Sequence, residues 1–314
     1  MKATSPFLEI TDLSITFCTP GQDIPAVSKC SFTVKKGTCM AIIGESGCGK
    51  SVIAHAILRI LPKNSLVCGT IRFRGCDLYQ LEISDMEKIR GSDIGIMFQS
   101  PDRALNPIYK IYRQVKEPVT VHQTVSWEKQ HNHILSMLKK SGFFDPEKAA
   151  SLYPCQCSGG MNQRAVTAIV LSLKPELVIA DEPTKGLDTA RISDVQDSLM
   201  EVIHEDRTLL LITHDIRLAR TIATDIVVMY AGEIVESGLA DDVLSDPLHP
   251  YTKGLIQSLP ENGFIPIPGY APPLTDLPKG CRFAQRCPYA SDICHIKPAQ
   301  PGILKGRVIR CHQY

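Results

Sequence analysis

Gly44-Glu45-Ser46-Gly47-Cys48-Gly49-Lys50-Ser51 sets three glycines, a lysine and a hydroxyl at the spacing G-x-x-x-x-G-K-S. Residues of these types in this order suit one task, the cradling of phosphate. The glycines let the backbone curl so that its N–H groups face an anion, and a following helix adds its positive N-terminal end. Lys50 is placed to neutralise the β- and γ-phosphates of a nucleotide, and Ser51 to ligate Mg²⁺. A chance Gly-rich turn is the rival reading. At ordinary glycine usage such a run arises in about one chain in a hundred of this length.

A second constellation lies downstream. Val178-Ile179-Ala180 reads as a buried strand that ends in Asp181-Glu182. Acids at a strand end are common and usually mean little alone. Downstream of a phosphate loop they acquire roles: Asp181 to hold Mg²⁺ through water, Glu182 to orient or deprotonate the attacking water.

The elements that must position these groups follow from periodicity. Cys39–Ile43 is an apolar run leading into the glycine loop, and Val52–Leu61 after it reads as a buried helix. Thr208–Thr213, ending at His214, and Ile226–Tyr230 are further strand-like runs, while Ile192, Val195, Leu199, Val202 and Ile203 recur at helical spacing. Strands alternating with helices predict an α/β fold on a mainly parallel sheet. Residues 70–98 are expected to form an antiparallel β piece, and about 105–165 a helical subdomain inserted into the α/β core. Pro266, Pro268, Pro272, Pro273 and Pro278 crowd a short span, which disfavours helices and central strands there. A boundary is expected near 260, giving a nucleotide-binding domain over 1–260 and a small Cys/Pro-rich domain over 261–314.

The most specific signal is Cys157-Ser158-Gly159-Gly160-Met161-Asn162-Gln163-Arg164. It resembles the signature sequence of ATP-binding cassette (ABC) ATPases, Leu-Ser-Gly-Gly-x-x-Gln-Arg, with Cys157 where leucine is usual. That departure falls at a position that packs rather than one that donates. The resemblance implies a P-loop NTPase fold in which Ser158, Gly159, Gly160 and Gln163 meet the γ-phosphate of ATP held by a partner subunit. Other elements of the family occur in order. Met97-Phe98-Gln99-Ser100-Pro101 resembles the Q-loop, with Gln99 at Mg²⁺ and the attacking water. Pro183-Thr184-Lys185-Gly186-Leu187-Asp188 resembles the D-loop, with Asp188 communicating across the dimer. Thr213-His214-Asp215 resembles the switch-histidine element. Phe17 resembles the aromatic residue that stacks on adenine; a core aromatic in a strand is the alternative. Pro247-Leu248-His249-Pro250-Tyr251-Thr252 and Gly280–Ala290 are similar to segments of the ATPases of dipeptide, oligopeptide and nickel importers. Within that group the chain resembles the member paired with a second, related ATPase.

What the resemblance implies is an ATP-hydrolysing importer subunit that acts with a homologous ATPase, two transmembrane permease subunits and an extracytoplasmic substrate-binding protein. It would lie peripherally on the cytoplasmic face of the membrane. Di- and oligopeptides are the first expectation for cargo, nickel or a metal chelate the second. A soluble ABC ATPase of DNA repair or translation, a non-hydrolysing nucleotide module and an exporter ATPase are the rivals. Repair members insert long coiled coils between loop and signature, and the interval from Ser51 to Ser158 shows no sustained heptads. Composition agrees: Lys plus Arg number 34 and Asp plus Glu 33, a net charge of +1, so no strong field points to nucleic acid. No secretory signal and no run of the roughly 18 apolar residues needed to span a bilayer is read from the sequence.

Of the twelve cysteines, eight are scattered and read as small buried hydrophobes. The other four, Cys281, Cys287, Cys294 and Cys311, have the spacing C-x5-C-x6-C-x16-C. Zinc sites prefer tight C-x2–4-C pairs, whereas four thiolates in a compact tail suit an iron–sulfur cluster. Some ATPases that this chain resembles carry a [4Fe–4S] cluster at matching cysteines, which makes that cluster the expectation. Zinc with His295 or His312 and four reduced packing thiols stay open as alternatives.

Overall fold

The computed structural model describes residues 6–99, 104–186 and 189–314, without the side chains of 189–191 and 194. Two compact units emerge, one formed by 1–80 with 211–314 and the other by 81–210. In chain order the strands are β1 (Leu8–Thr19), β2 (Gln22–Val34), β3 (Cys39–Ile43), β4 (Ser65–Phe73), β5 (Cys76–Asp77), β6 (Ile94–Met97), β7 (Leu177–Asp181), β8 (Thr208–Thr213), β9 (Asp225–Tyr230), β10 (Glu233–Leu239), β11 (Gly302–Leu304) and β12 (Arg307–Ile309). The helices are α1 (Lys50–Ile57), α2 (Ile83–Ile89), α3 (Ile111–His122), α4 (Trp127–Lys140), α5 (Pro146–Ser151), α6 (Gly159–Leu171), α7 (Thr189–His204), α8 (Ile216–Ile222), α9 (Ala240–Ser245), α10 (Pro250–Gln257) and α11 (Asp292–Ile296).

In the first unit β3 is buried at every residue and runs parallel to β9, with Met40 opposite Asp225 and Ile43 opposite Val228. Continuous apolar runs such as Cys39–Ile43 are what a strand covered on both faces requires. From β9 the sheet turns antiparallel through β10 to β12 and β11. A separate antiparallel sheet has the order β2-β1-β4-β5. Leu8 and Ile10, then Leu13 and Ile15 beyond a register shift at residues 11–12, give β1 its buried face.

The antiparallel piece expected over 70–98 is therefore displaced. It is built from 8–77, while α2 occupies Ile83–Ile89 around the buried Met86, and β6 pairs parallel with β7, Ile94 opposite Leu177 and Met97 opposite Ala180. The sequence signal failed because β1 and β4 carry similar alternation on distant stretches, and pairing between them is a long-range choice.

The second unit gathers α3, α4, α5 and α6 around Ile111, Val115, Ile134, Leu138, Ala165 and Ala168, which gives the helical segment its own core. The apolar positions expected of α7 are in place, with Val195, Leu199 and Val202 buried.

After residue 260 the chain forms single turns, the short α11 and the β11–β12 hairpin at a sheet edge, as its proline content dictates. Glu236, fully buried on β10, fastens this region. Its carboxylate accepts the N–H groups of Leu248 at 3.0 Å and His249 at 2.9 Å, and Arg307 of β12 lies 3.5 Å away. Among the described residues no helix is long and apolar enough to cross a membrane.

Candidate nucleotide-binding site

The phosphate loop connects β3 to α1, the strand–loop–helix order that its sequence requires. Two glycines there are obligatory for space. Gly44 has φ +151° and a Cβ would fall 2.2 Å from the Met229 carbonyl oxygen; Gly49, at φ +101°, would meet the Ala26 carbonyl oxygen at 2.4 Å. Gly47 sits at φ +81° with open space around it, and Ser46 beside it is exposed. Lys50 is buried, and its Nζ donates to the carbonyls of Gly44 at 2.8 Å and Glu45 at 3.0 Å. Ser51 is half-buried in the first turn of α1, and Cys48 is buried beneath the loop, where burial pushes its thiol pKa up.

Elsewhere in this unit, Phe17 lies half-buried on β1 opposite Ile24 of β2, and His214 is exposed just beyond β8. Asp215 caps the following helix by accepting the N–H groups of Arg217 at 2.9 Å and Leu218 at 3.1 Å, which fixes the chain immediately after His214.

The second unit brings Gln99, Asp181 and Glu182 to the same ends of neighbouring parallel strands, Gln99 just past β6 and the two acids at the end of β7. Asp181 and Glu182 are 3% and 5% exposed, uncommonly low for carboxylates. Glu182 has φ +50°, a left-handed conformation that costs a non-glycine residue about 1–3 kcal/mol and persists where the surroundings impose it. Carboxylate, hydroxyl and amide oxygens are the donor chemistry that Mg²⁺ prefers, so Asp181, Ser51 and Gln99 each suit that ion by type.

Ser158 is exposed and caps α6, its Oγ accepting the Met161 N–H at 3.3 Å. Gly159 and Gly160 form the first turn. Gln163 donates through Nε2 to the Pro183 carbonyl at 2.8 Å, so the signature helix is tied to the residue after Glu182. No pattern in the sequence signals this bond between residues 20 positions apart. Cys157 packs against the helical core as expected of it, whereas Cys155 is exposed, and so are Cys68 and Cys76; of the eight scattered cysteines only Cys30, Cys39 and Cys48 are buried. Asp188 lies outside the described residues, as do Ser100, Pro101 and Leu187.

The four C-terminal cysteines converge. Burial raises the thiol pKa of Cys281, to about 11, and the thiols of Cys294, Cys311 and Cys287 add to it. Burial likewise raises Cys287 and Cys311. Yet among the described residues no group of three or more His, Cys, Asp or Glu is arranged to hold a metal ion. As they stand, the four sulfurs do not fit a cluster or a zinc ion. His295 is exposed, and His312 Nε2 lies 2.8 Å from the Lys297 carbonyl.

Residues 27–185 match the family model described as ABC transporter. The chain belongs to the ABC transporter ATPase family. A second model, the oligopeptide/dipeptide transporter C-terminal region, matches residues 235–294 of this ABC ATPase. Among its relatives, the oligopeptide transport ATP-binding protein OppD of Bacillus subtilis is 40% identical over 304 residues, covering 93% of this chain and 84% of that one. The dipeptide transport ATP-binding protein DppD of the same organism is 39% identical, over 97% of this chain and 93% of that one. Among solved structures, a dimeric bacterial ABC transporter cassette, MJ0796, superposes with a TM-score of 0.67 at 26% identity, covering 74% of this chain and 98% of that one.

Proposed function

We propose that this ABC ATPase powers uptake of di- and oligopeptides across the cytoplasmic membrane. The observation that carries the cargo class is the match of residues 235–294 to the oligopeptide/dipeptide transporter C-terminal region, joined to a full set of nucleotide motifs in one chain. The partners in this reading are a second, homologous ATPase, two transmembrane permease subunits and an extracytoplasmic binding protein, with the chain peripheral on the cytoplasmic face. Residues 1–260 serve as the nucleotide domain and 261–314 as the importer-type extension.

In the mechanism, two subunits close on two ATP molecules. Gly44–Ser51 wrap the phosphates with backbone donors, and Phe17 stacks on adenine. Lys50 holds the β/γ oxygens. Ser51, Gln99 and Asp181 would hold Mg²⁺, which neutralises charge developing on the transferred phosphoryl group. Glu182 accepts the proton of the attacking water, and His214 donates to the γ-phosphate oxygens. Ser158, Gly159, Gly160 and Gln163 face the γ-phosphate of the ATP on the opposite subunit, and Asp188 relays across the dimer.

The finer reading of the tail is a [4Fe–4S] cluster on Cys281, Cys287, Cys294 and Cys311. Its support is the convergence of four thiols, and it requires the sulfurs to close in from their present places. Iron and acid-labile sulfide in anaerobically purified protein decide it; absence of both removes it.

The reading of cargo is tested by reconstituting the transporter and measuring ATPase stimulation by its binding protein. Stimulation by the peptide-loaded protein is expected. Stimulation by a nickel complex alone would move the cargo to metal and leave the nucleotide chemistry in place.

A further inference from the structure

Glu45 is gripped from the C-terminal segment on two sides, and nothing in the hydrolytic mechanism uses that grip. Its backbone N–H donates to the Tyr251 hydroxyl at 2.9 Å. Its carboxylate receives both arms of the Arg286 guanidinium, Nη1 at 2.9 Å and Nη2 at 3.0 Å. A two-pronged contact of this kind fixes orientation as well as position, which a single charge on a flexible stem does not.

Arg286 is itself held in place. Its Nε donates to the Pro268 carbonyl at 2.9 Å and its Nη1 to the Tyr230 hydroxyl at 3.2 Å. The turn Ala284–Arg286 that carries it begins just after Cys281, whose N–H donates to the Cys294 carbonyl at 2.7 Å. Phe283 packs edge-on against both Tyr230 and Tyr251, closing an apolar wall behind the ion pair. Arg286 is 7% exposed and Glu45 29%, so water and salt screen this pair far less than the surface pair Lys88–Asp85, at 76% and 50%.

The grip reaches the phosphate-binding groups through one residue. The carbonyl of Glu45 accepts Lys50 Nζ at 3.0 Å, so the residue that Arg286 and Tyr251 fix also helps to orient the loop lysine. We infer that Arg286, assisted by Tyr251, is a positioning residue for ATP: it locks Glu45 so that the loop stands in its receiving shape before nucleotide arrives. The C-terminal segment is thereby a structural part of the nucleotide site. Arg286 touches no reacting atom.

A mere staple would lower thermal stability and leave ATP affinity alone, which separates the two roles. The experiment is equilibrium ATP binding to the full chain for wild type, Arg286→Met, Arg286→Lys, Glu45→Gln and the Arg286→Met/Glu45→Gln double variant, each well below its unfolding midpoint. Arg286→Met is expected to weaken ATP binding about three- to tenfold, the loss of charge-assisted hydrogen bonds. Arg286→Lys, which keeps the charge without the fork, should recover only part. The double variant should lose no more than Glu45→Gln alone, the mark of one shared interaction. In the assembled transporter KM for ATP should rise more than kcat falls. Wild-type affinity in folded Arg286→Met, or losses that multiply in the double variant, would overturn the inference; if Arg286→Met does not fold, unchanged affinity in both Arg286→Lys and Glu45→Gln does the same. Failure of the wild type to bind ATP would instead overturn the nucleotide reading itself.

Discussion

The phosphate loop and the signature segment 158–164 both start a helix with glycines, but their surroundings differ. Around the loop, Gly44 and Gly49 press against the carbonyls of Met229 and Ala26, Lys50 is buried, and Tyr251 and Arg286 hold Glu45. At the signature, Ser158 is exposed, and among the described residues its side chain makes only the local cap to Met161. Preorganised donors lose little on binding, since the cost of ordering them was met on folding. The contrast supports the proposed division of labour, in which the loop receives ATP and the signature stays open for an anion presented by another subunit.

The hydrolytic centre gives the largest test. Glu182→Gln should cut turnover by about 10²- to 10⁴-fold while ATP still binds, because a general base is lost and a donor-acceptor of equal size remains. Undiminished hydrolysis would remove Glu182 from its role. The crowding at the loop comes next. Gly44→Ala forces a Cβ onto a backbone oxygen and should cost roughly 2–4 kcal/mol of stability, or ATP binding itself. Gly47→Ala, into open space, should cost only the left-handed backbone, about 1–2 kcal/mol. Thermal unfolding of the two variants sharpens the claim that one wall of the loop is tight and the other free; equal losses would blunt it.

The most gradual effect is a slope with pH. Burial pulls the His249 pKa from 6.5 down to about 3, with the nearby Lys253 acting in the same direction and a backbone bond at Arg310 opposing. Its Nδ1 accepts the Tyr251 N–H at 3.0 Å, so the ring that braces Tyr251 is neutral. The unfolded chain takes up a proton near pH 6.5 and the folded chain only near pH 3. Stability from this group is full above pH 6.5 and is lost as pH falls towards 3, by at most about 1.4 kcal/mol per unit. His249→Asn, which can still cap α10, should flatten that slope in denaturant titrations at several pH values.

Much of this site was legible because its motifs are local. The run Gly44–Ser51, the acids at 181 and 182 and the turn at 158–160 each encode their geometry in a few adjacent residues, and the structure places each at the strand end or helix start its pattern requires. Contacts between distant residues were not legible. Nothing near Glu45 indicates that its partner is Arg286, inside the C-x5-C stretch, and a lone arginine there reads as surface charge. Glu236 looks like an ordinary strand residue until Arg307 and the amides at 248 and 249 surround it. Pairing of β1 with β4 was missed for the same reason, since alternation says which face is buried and not which strand lies beside it. Cys68, Cys76 and Cys155 were assigned to the interior by residue type, yet type alone carries no information on which face of an edge strand or turn a side chain takes.

The difference between loop and signature is tested most directly by titrating ATP into the isolated chain with Lys50→Ala and Ser158→Ala side by side. The account predicts that Lys50→Ala weakens binding by roughly tenfold or more, while Ser158→Ala binds as the wild type does and loses turnover only in the assembled transporter. An equal loss of ATP affinity in Ser158→Ala would contradict it.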